Sequence, residues 1–517
     1  MDSQLKPDSV ESIGDGIVAV DQIASAHAAM SEAEQRFEHL RRTWGLFLGP
    51  AVFVAMLAMP TPGLTESGHQ LAAIVTLVVV WWITEPIPIP VTALLGAGLA
   101  VVFGVASATD AFAPFASPTI FLFIGSFIIG RAVAEHGLDR RLATGLLTIP
   151  AVGRSLTRTR IAIGALVILM SAWMSNTATA AMMVPLALGV LRARSGLSSG
   201  GRHGTTSLML IVAFSASIGG MATPVGSPPN LITLGLLDRT AGIQINFLTW
   251  MLLAAPISLA MGALLVLVAG RRYPLPAQSA HTGRLERPTG PWTVGQRNCA
   301  IAFFTAVVLW VTPGALALAA PDAPFVKLVV ARLDEAVVAV LAAVLLFLLP
   351  IDWKQRQFTL DWRQAASIDW GTILLFGGGL SLGRLMFETG LAATVGNSIV
   401  EISGATSLWG ITALAIVLGV LLTEIASNTA AANMLVPVII SICQAAGVSP
   451  IPPSLGACLG ASLAFMLPIS TPPNAIVYGT GLVPIRAMLG FGVIMDLLGI
   501  VVIFAGLRVL CPLLGLA

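Results

Sequence analysis

Two short polar stretches carry the side chains in this sequence best suited to binding chemistry. Ser175, Asn176 and Thr177 open SNTATAAMMVP, and Ser427, Asn428 and Thr429 open SNTAAANMLVP, 252 residues further on. Eight of the first fourteen positions counted from each tripeptide are identical. Each copy interrupts an apolar run; in LVILMSAWMSNTATAAMMVPLALGVL, a helix reaches Met174, meets the tripeptide and resumes to Leu191. Ser and Asn compete for backbone hydrogen bonds and favour caps and turns. Their placement predicts a helix broken at mid-membrane, with a new N-terminus near Thr177. The free N–H groups and partial positive charge of such an end suit an anion.

A second polar signal follows each tripeptide, TPVGSPPN at 223–230 and ISTPPN at 469–474. Its prolines predict another break, a hairpin tip facing the first. A lone Ser-Asn-Thr in a membrane helix reads as packing glue between helices. Two copies, each followed by Pro-Pro-Asn, read as one central binding site.

The surrounding chain sets the medium. Apolar residues, Tyr and Cys included, make up 56% of the 517 and charged residues 10%, against roughly 25% charged in soluble domains. Mean hydropathy is +0.90. This is a polytopic membrane protein embedded in the lipid bilayer. Apolar runs at 44–59, 71–83, 246–270, 298–320, 333–349 and 488–510 lead to about eleven helical spans, plus shorter segments that enter and return. A net charge of +2 without a basic cluster gives no sign of nucleic-acid binding. The four cysteines show no pairing or metal-ligand spacing, and Cys443 and Cys458 read as small hydrophobes.

Residues 1–42 form a polar tail, with a helix expected from about Asp21 to Arg42. Arg41 and Arg42 precede the first span, and the next loop, PTPGLTESGHQ, has neither Lys nor Arg. The amino terminus is therefore expected in the cytoplasm, with the loop 271–297 and its five arginines.

The duplication runs beyond the tripeptides. TIFLFIGSFIIGRAVAEHGL (119–138) matches TILLFGGGLSLGRLMFETGL (372–391) at ten of twenty positions, pairing Arg131 with Arg384 and Glu135 with Glu388. Each Arg and Glu stand four apart, as a structural ion pair on a helix would. Offsets of 253, 252 and 244 residues for the three motifs show two halves, 43–270 and 298–517, joined by the basic loop. Paired halves of this kind are the mark of a secondary transporter built from internal repeats. The number of crossings leaves inverted and parallel orientations open; inversion would bring both motifs together near the midplane. The six histidines are scattered, and there is no Ser-His-Asp set or Gly-rich phosphate loop. Those features point away from an enzyme. A channel has less use for paired ligands that must fill and empty.

The paired Ser-Asn-Thr and Pro-Pro-Asn motifs, with WWITEPIPIPVTALL at 81–95, resemble the divalent-anion:sodium symporter family. That family includes the human sodium-coupled citrate, dicarboxylate and sulfate cotransporters, and the resemblance runs from about Trp44 to the end. It implies an all-helical, inverted-repeat fold with broken helices and re-entrant hairpins. It also implies a homodimer, an elevator-like transport domain and sodium as coupling ion. Implied substrates are C4-dicarboxylates such as succinate, malate and fumarate, or citrate or sulfate. Carried over by motif position, Ser175, Asn176, Thr177 and Ser227 contact one carboxylate, and Ser427, Asn428, Thr429 and Thr471 the other. One sodium site takes Ser171, Asn176 and the Gly226 carbonyl; a second takes Thr423, Asn428 and the Ser470 carbonyl.

Two alternatives share these motifs. A sodium-independent exchanger of the same family would place a basic side chain where the cation sits, and neither 171–177 nor 423–429 has one. Proton coupling would draw on Glu424, an intramembrane acid, whose counterpart in the first half is Ala172. Asp496, in the last span, has no partner visible in the sequence. The chain is expected in a bacterial inner (cytoplasmic) membrane, and no catalytic residue is expected.

Overall fold

The computed structural model describes residues 32–61, 63–149, 155–192, 201–274, 290–404 and 406–517. Among them the chain is helical almost throughout, apart from a two-stranded antiparallel ribbon pairing Pro350–Asp352 with Gln357–Phe358. Nine helices of the described residues are long and apolar enough to cross a bilayer, and Ile89–Val102, Asn176–Val190 and Glu335–Leu348 are shorter apolar ones. The first described helix is Glu32–Ala58; it covers residues 32–42 of the helix expected from Asp21 to Arg42, and 21–31 lie outside the described residues. Apolar side chains such as Trp44, Phe47, Leu318 and Val501 lie exposed on these helices. No water-soluble fold tolerates such faces on this scale, and a hydrocarbon surround does.

The ion pairs expected at the repeated Gly-Arg segments are present, Arg131 to Glu135 at 2.9 Å and Arg384 to Glu388 at 2.6 Å. Glu135 also accepts from Gln364, and Arg384 lies 3.9 Å from Asp110. Glu85 ends the helix Glu66–Thr84 in the left-handed conformation, at φ 49°, 3.7 Å from Arg41. All four cysteines are free and buried.

The structure reverses one expectation about the breaks. Leu156–Ser171 and Asn176–Arg192 both pack along Gly201–Gly220. Laid end to end, the first two would run for about 50 Å, while their partner is about 30 Å long. They share it only by doubling back, so Ser-Asn-Thr sits at a hairpin tip. Gly164 lies against Ile211, Gly219 against Ile168 and Gly220 against Asn176. The first arm therefore runs parallel to Gly201–Gly220, and the second starts beside that helix's C-terminal end. The helices flanking Pro-Pro-Asn, by contrast, do not pack along each other: Pro228–Ala241 crosses to Asn428–Ala446 and Ile451–Gly460. Pro-Pro-Asn is thus the discontinuous helix and Ser-Asn-Thr the hairpin, the opposite of the sequence expectation.

The second half repeats this plan with Leu408–Ile425, Asn428–Ala446, Ile451–Gly460 and Pro472–Gly479. Close approach between the first arm and its partner rests on glycine. A Cβ on Gly219 would fall 2.5 Å from the Ile168 carbonyl, and one on Gly460 2.6 Å from that of Ile416. Backbone at that distance cannot yield as a side-chain end would. Gly219→Val and Gly460→Val should each destabilise the protein by about 1–3 kcal/mol, measured as a lower unfolding temperature in detergent. Gly98→Val, which meets nothing within 4 Å, should unfold close to the wild-type temperature.

Candidate functional site

Ser171 ends the first hairpin arm and is fully buried. Its Oγ lies 2.7 Å from Asn176 Oδ1 and 2.6 Å from the Ala216 carbonyl. Thr423, equally buried, repeats the arrangement, with Oγ1 2.7 Å from Asn428 Oδ1 and 2.7 Å from the Ala461 carbonyl. In each half three oxygens share a single hydroxyl proton, which can satisfy only one acceptor. A hard cation is the ligand that such a surplus of lone pairs suits.

Each tripeptide also starts a helix. Ser175 Oγ accepts the Ala178 amide at 3.1 Å, and Ser427 Oγ accepts that of Ala430 at 3.2 Å. Both serines are N-caps. The amides of Asn176 and Thr177, and of Asn428 and Thr429, open their helices without an intrahelical acceptor. Ser175 is exposed; Asn176, Thr177, Ser427, Asn428 and Thr429 are half-buried. The tips therefore present N–H donors beside an oxygen cluster.

At the discontinuous helices, Ser227 and Thr471 occupy N-cap positions yet make no side-chain cap. The next two residues are prolines in both cases, and proline has no N–H to offer. The amide three residues on, the kind that Ser175 and Ser427 accept, donates at Asn230 to the Ser227 carbonyl at 3.1 Å, and neither hydroxyl caps its helix. Ser227 is buried, and the buried Thr471 Oγ1 has no hydrogen-bond partner among the described residues.

The unwound segments are held by the asparagines that follow. Asn230 Nδ2 donates to the Gly220 and Thr223 carbonyls at 2.8 Å each. Asn474 Nδ2 donates to the Ala464 and Leu467 carbonyls at 2.8 and 3.0 Å. Thr223 Oγ1 donates to the Ala172 carbonyl, binding the first unwound segment to its hairpin tip. A Cβ on Gly226 would lie 2.9 Å from the same Ala172 carbonyl, and one on Gly220 2.4 Å from Asn176 Oδ1. Tip and unwound segment are thus in contact, as the sequence expectation required, although their roles are exchanged.

The two halves interlock. Pro472–Gly479 packs on Asn176–Arg192, and Pro228–Ala241 packs on Asn428–Ala446. The Phe214 and Phe465 rings meet at 4.6 Å, and Cys458 Sγ lies 3.6 Å from Asn230 Oδ1. All four interrupted segments share one core. The family model for the sodium:sulfate symporter transmembrane region matches residues 40–515.

The chain belongs to the divalent-anion:sodium symporter family. It is 32% identical over 505 residues to the sodium-dependent dicarboxylate transporter SdcS of Staphylococcus saprophyticus, covering 93% of this chain and 94% of that one. It is 28% identical to SdcS of Staphylococcus aureus strain USA300, covering 91% of each. An uncharacterized transporter of Haemophilus influenzae is 36% identical, over 87% of this chain and 93% of that one. The YdaH transporter of Alcanivorax borkumensis, at 14% identity and TM-score 0.54, covers 90% of this chain and 97% of its own and shares the fold. Neisseria gonorrhoeae MtrF shares it at 14% identity and TM-score 0.53, over 88% and 97%. The family's members are transporters rather than enzymes, and this one is an integral, multi-pass membrane protein.

Sequence reasoning overlooked Asn230 and Asn474 as staples, although both stood in the repeated motif. It also missed the Ala216 and Ala461 carbonyls, which carry no side-chain signal at all. Losing a staple leaves two buried carbonyls without donors. Asn230→Ala and Asn474→Ala should each cost about 1–3 kcal/mol per orphaned group, seen as a lower unfolding temperature. Restoration of stability by Asn→Asp at either site would argue against a donor role, since a carboxylate supplies none.

Proposed function

We propose that the chain is a sodium-coupled symporter that imports C4-dicarboxylates such as succinate, malate and fumarate. The observation that carries this reading is the duplicated cluster of three oxygens around one hydroxyl proton. Sodium, a co-transported substrate, would be held by Ser171, Asn176 and the Ala216 and Gly226 carbonyls in one half. Thr423, Asn428 and the Ala461 and Ser470 carbonyls would hold it in the other.

An asparagine suits the junction better than a carboxylate. Its Oδ1 faces the hydroxyl and carbonyl oxygens, which leaves Nδ2 as a donor on the opposite side of the same amide. One residue can then serve the cation with its oxygen and the anion with its N–H. The anion would be gripped by Ser175, Asn176, Thr177 and Ser227 at one end and by Ser427, Asn428, Thr429 and Thr471 at the other. No basic side chain lies in 171–177, 221–227, 423–429 or 461–471. Two carboxylates in such a site depend on nearby cations for compensation, which couples the two bindings.

The names of the SdcS relatives support sodium and a dicarboxylate; family resemblance supports a homodimer and an elevator movement. The arginine-rich loop 271–297 and Arg41 and Arg42 support a cytoplasmic amino terminus in a bacterial inner membrane. Proteoliposomes given a sodium gradient should accumulate succinate, with citrate and sulfate tested as competitors. Uptake that is as fast with choline in place of sodium would sink the symport reading. Asn176→Ala and Asn428→Ala should each raise both the sodium half-saturation and the succinate KM by about tenfold. A variant that moves only one of the two would show that the amide is not shared.

A further inference from the structure

The two cradles are built alike, but what braces them differs. Position 424 is Glu where the first half has Ala172, and position 470 is Ser where it has Gly226. Glu424 is buried, and its carboxylate crosses to the second unwound segment. Oε1 accepts the Phe465 and Met466 amides at 2.8 Å each, and Oε2 accepts the Ser470 hydroxyl at 2.7 Å. Gly492 on Ile485–Leu513 admits the Phe465 carbonyl, since a Cβ there would lie 2.3 Å away. One turn further along that helix, the buried Asp496 lies near Glu424. Neither carboxyl oxygen of Asp496 has a hydrogen-bond partner among the described residues.

Glu424 directly follows Thr423, and Phe465 lies four residues after Ala461. One carboxylate therefore bolts together the two strands that supply the second cradle's hydroxyl and carbonyl. In the first half the corresponding tie is a single neutral bond, Thr223 Oγ1 to the Ala172 carbonyl. Hydrogen bonds to an ionised acceptor are roughly twice as strong as neutral ones, and here there are three. A buried negative charge beside Thr423 also favours a cation through a medium that screens poorly.

We propose that Glu424 is a positioning residue that pre-forms the second cation cradle and makes it the tighter of the two. The second site then fills first, and the first cradle, tied more loosely, sets the sodium concentration at which transport saturates. This inference rests on the sodium-symport reading above and adds to it an order of filling.

Sodium activation of succinate uptake in proteoliposomes tests it, with succinate KM measured separately at saturating sodium. Glu424→Ala weakens the tighter site until it, too, limits activation. The sodium half-saturation should rise by about tenfold or more, while succinate KM at saturating sodium stays within about twofold. Glu424→Gln keeps an acceptor for the Phe465 and Met466 amides and can donate to Ser470, but carries no charge. Its sodium curve should fall between wild type and Glu424→Ala. Ser470→Gly, which restores the residue of the first half, should shift the sodium curve in the same direction by less. Elution profile and unfolding temperature identify any variant that fails to fold, and the Gln and Ser470→Gly variants then decide the matter. A wild type indifferent to sodium would overturn both this inference and the symport reading. A sodium-dependent wild type whose activation curve is unmoved by all three substitutions would overturn the positioning role alone.

Discussion

A helix interrupted inside a bilayer exposes backbone groups that hydrocarbon cannot satisfy, and each one left unpaired costs several kcal/mol. Four interruptions in one core make this the constraint on which the rest of the structure depends. The chain meets it with side chains placed at the breaks. Asn230 and Asn474 each cover two carbonyls, while Ser175 and Ser427 each cover an amide. Those polar residues are therefore fixed in place before any ligand arrives. Binding then needs little reorganisation, because the same bonds that keep the backbone viable hold the ligating groups still.

The division between structural and ligating roles falls within the motifs. In Pro-Pro-Asn the asparagine side chain is consumed by the backbone, and the hydroxyl before the prolines makes no cap. In Ser-Asn-Thr the serine oxygen accepts a capping amide and keeps its O–H to donate, while the asparagine amide stands between the oxygen cluster and the space beyond the tip. Glycine supplies the remaining condition, since Gly220 lets the asparagine side chain lie against the discontinuous helix. A methyl group there would occupy the place of Asn176 Oδ1.

Much of this was legible in the sequence, and what was not has physical reasons. The medium, the duplication, the order of the motifs and the two Arg–Glu pairs follow from composition and spacing alone. The direction of the chain at each break does not. Serine, asparagine and proline all end a helix, and none says whether the chain turns back or carries on. That is decided by Gly201–Gly220, which packs along both arms of the first hairpin. The carbonyls of Ala216 and Ala461 were invisible because any residue supplies a carbonyl. Glu424 reaches the Phe465 and Met466 amides, 41 and 42 residues away in sequence, a contact that no local pattern encodes.

The absence of basic side chains from the four interrupted segments gains meaning beside this geometry. A carrier must return its empty site across the bilayer, and a fixed charge at mid-depth is costly to leave uncompensated. A site made of hydroxyls, amides and carbonyls is neutral when empty, and its oxygens need positive charge only while an anion is present. Glu424 departs from that rule, but its carboxylate is enclosed by two amides and a hydroxyl. Its charge is thereby compensated within the protein in every state that keeps the second unwound segment in place. The first half, with Ala172 and Gly226 at the corresponding positions, needs no such compensation. The asymmetry lies in how the two cradles are braced, while the oxygen atoms that form them remain equivalent.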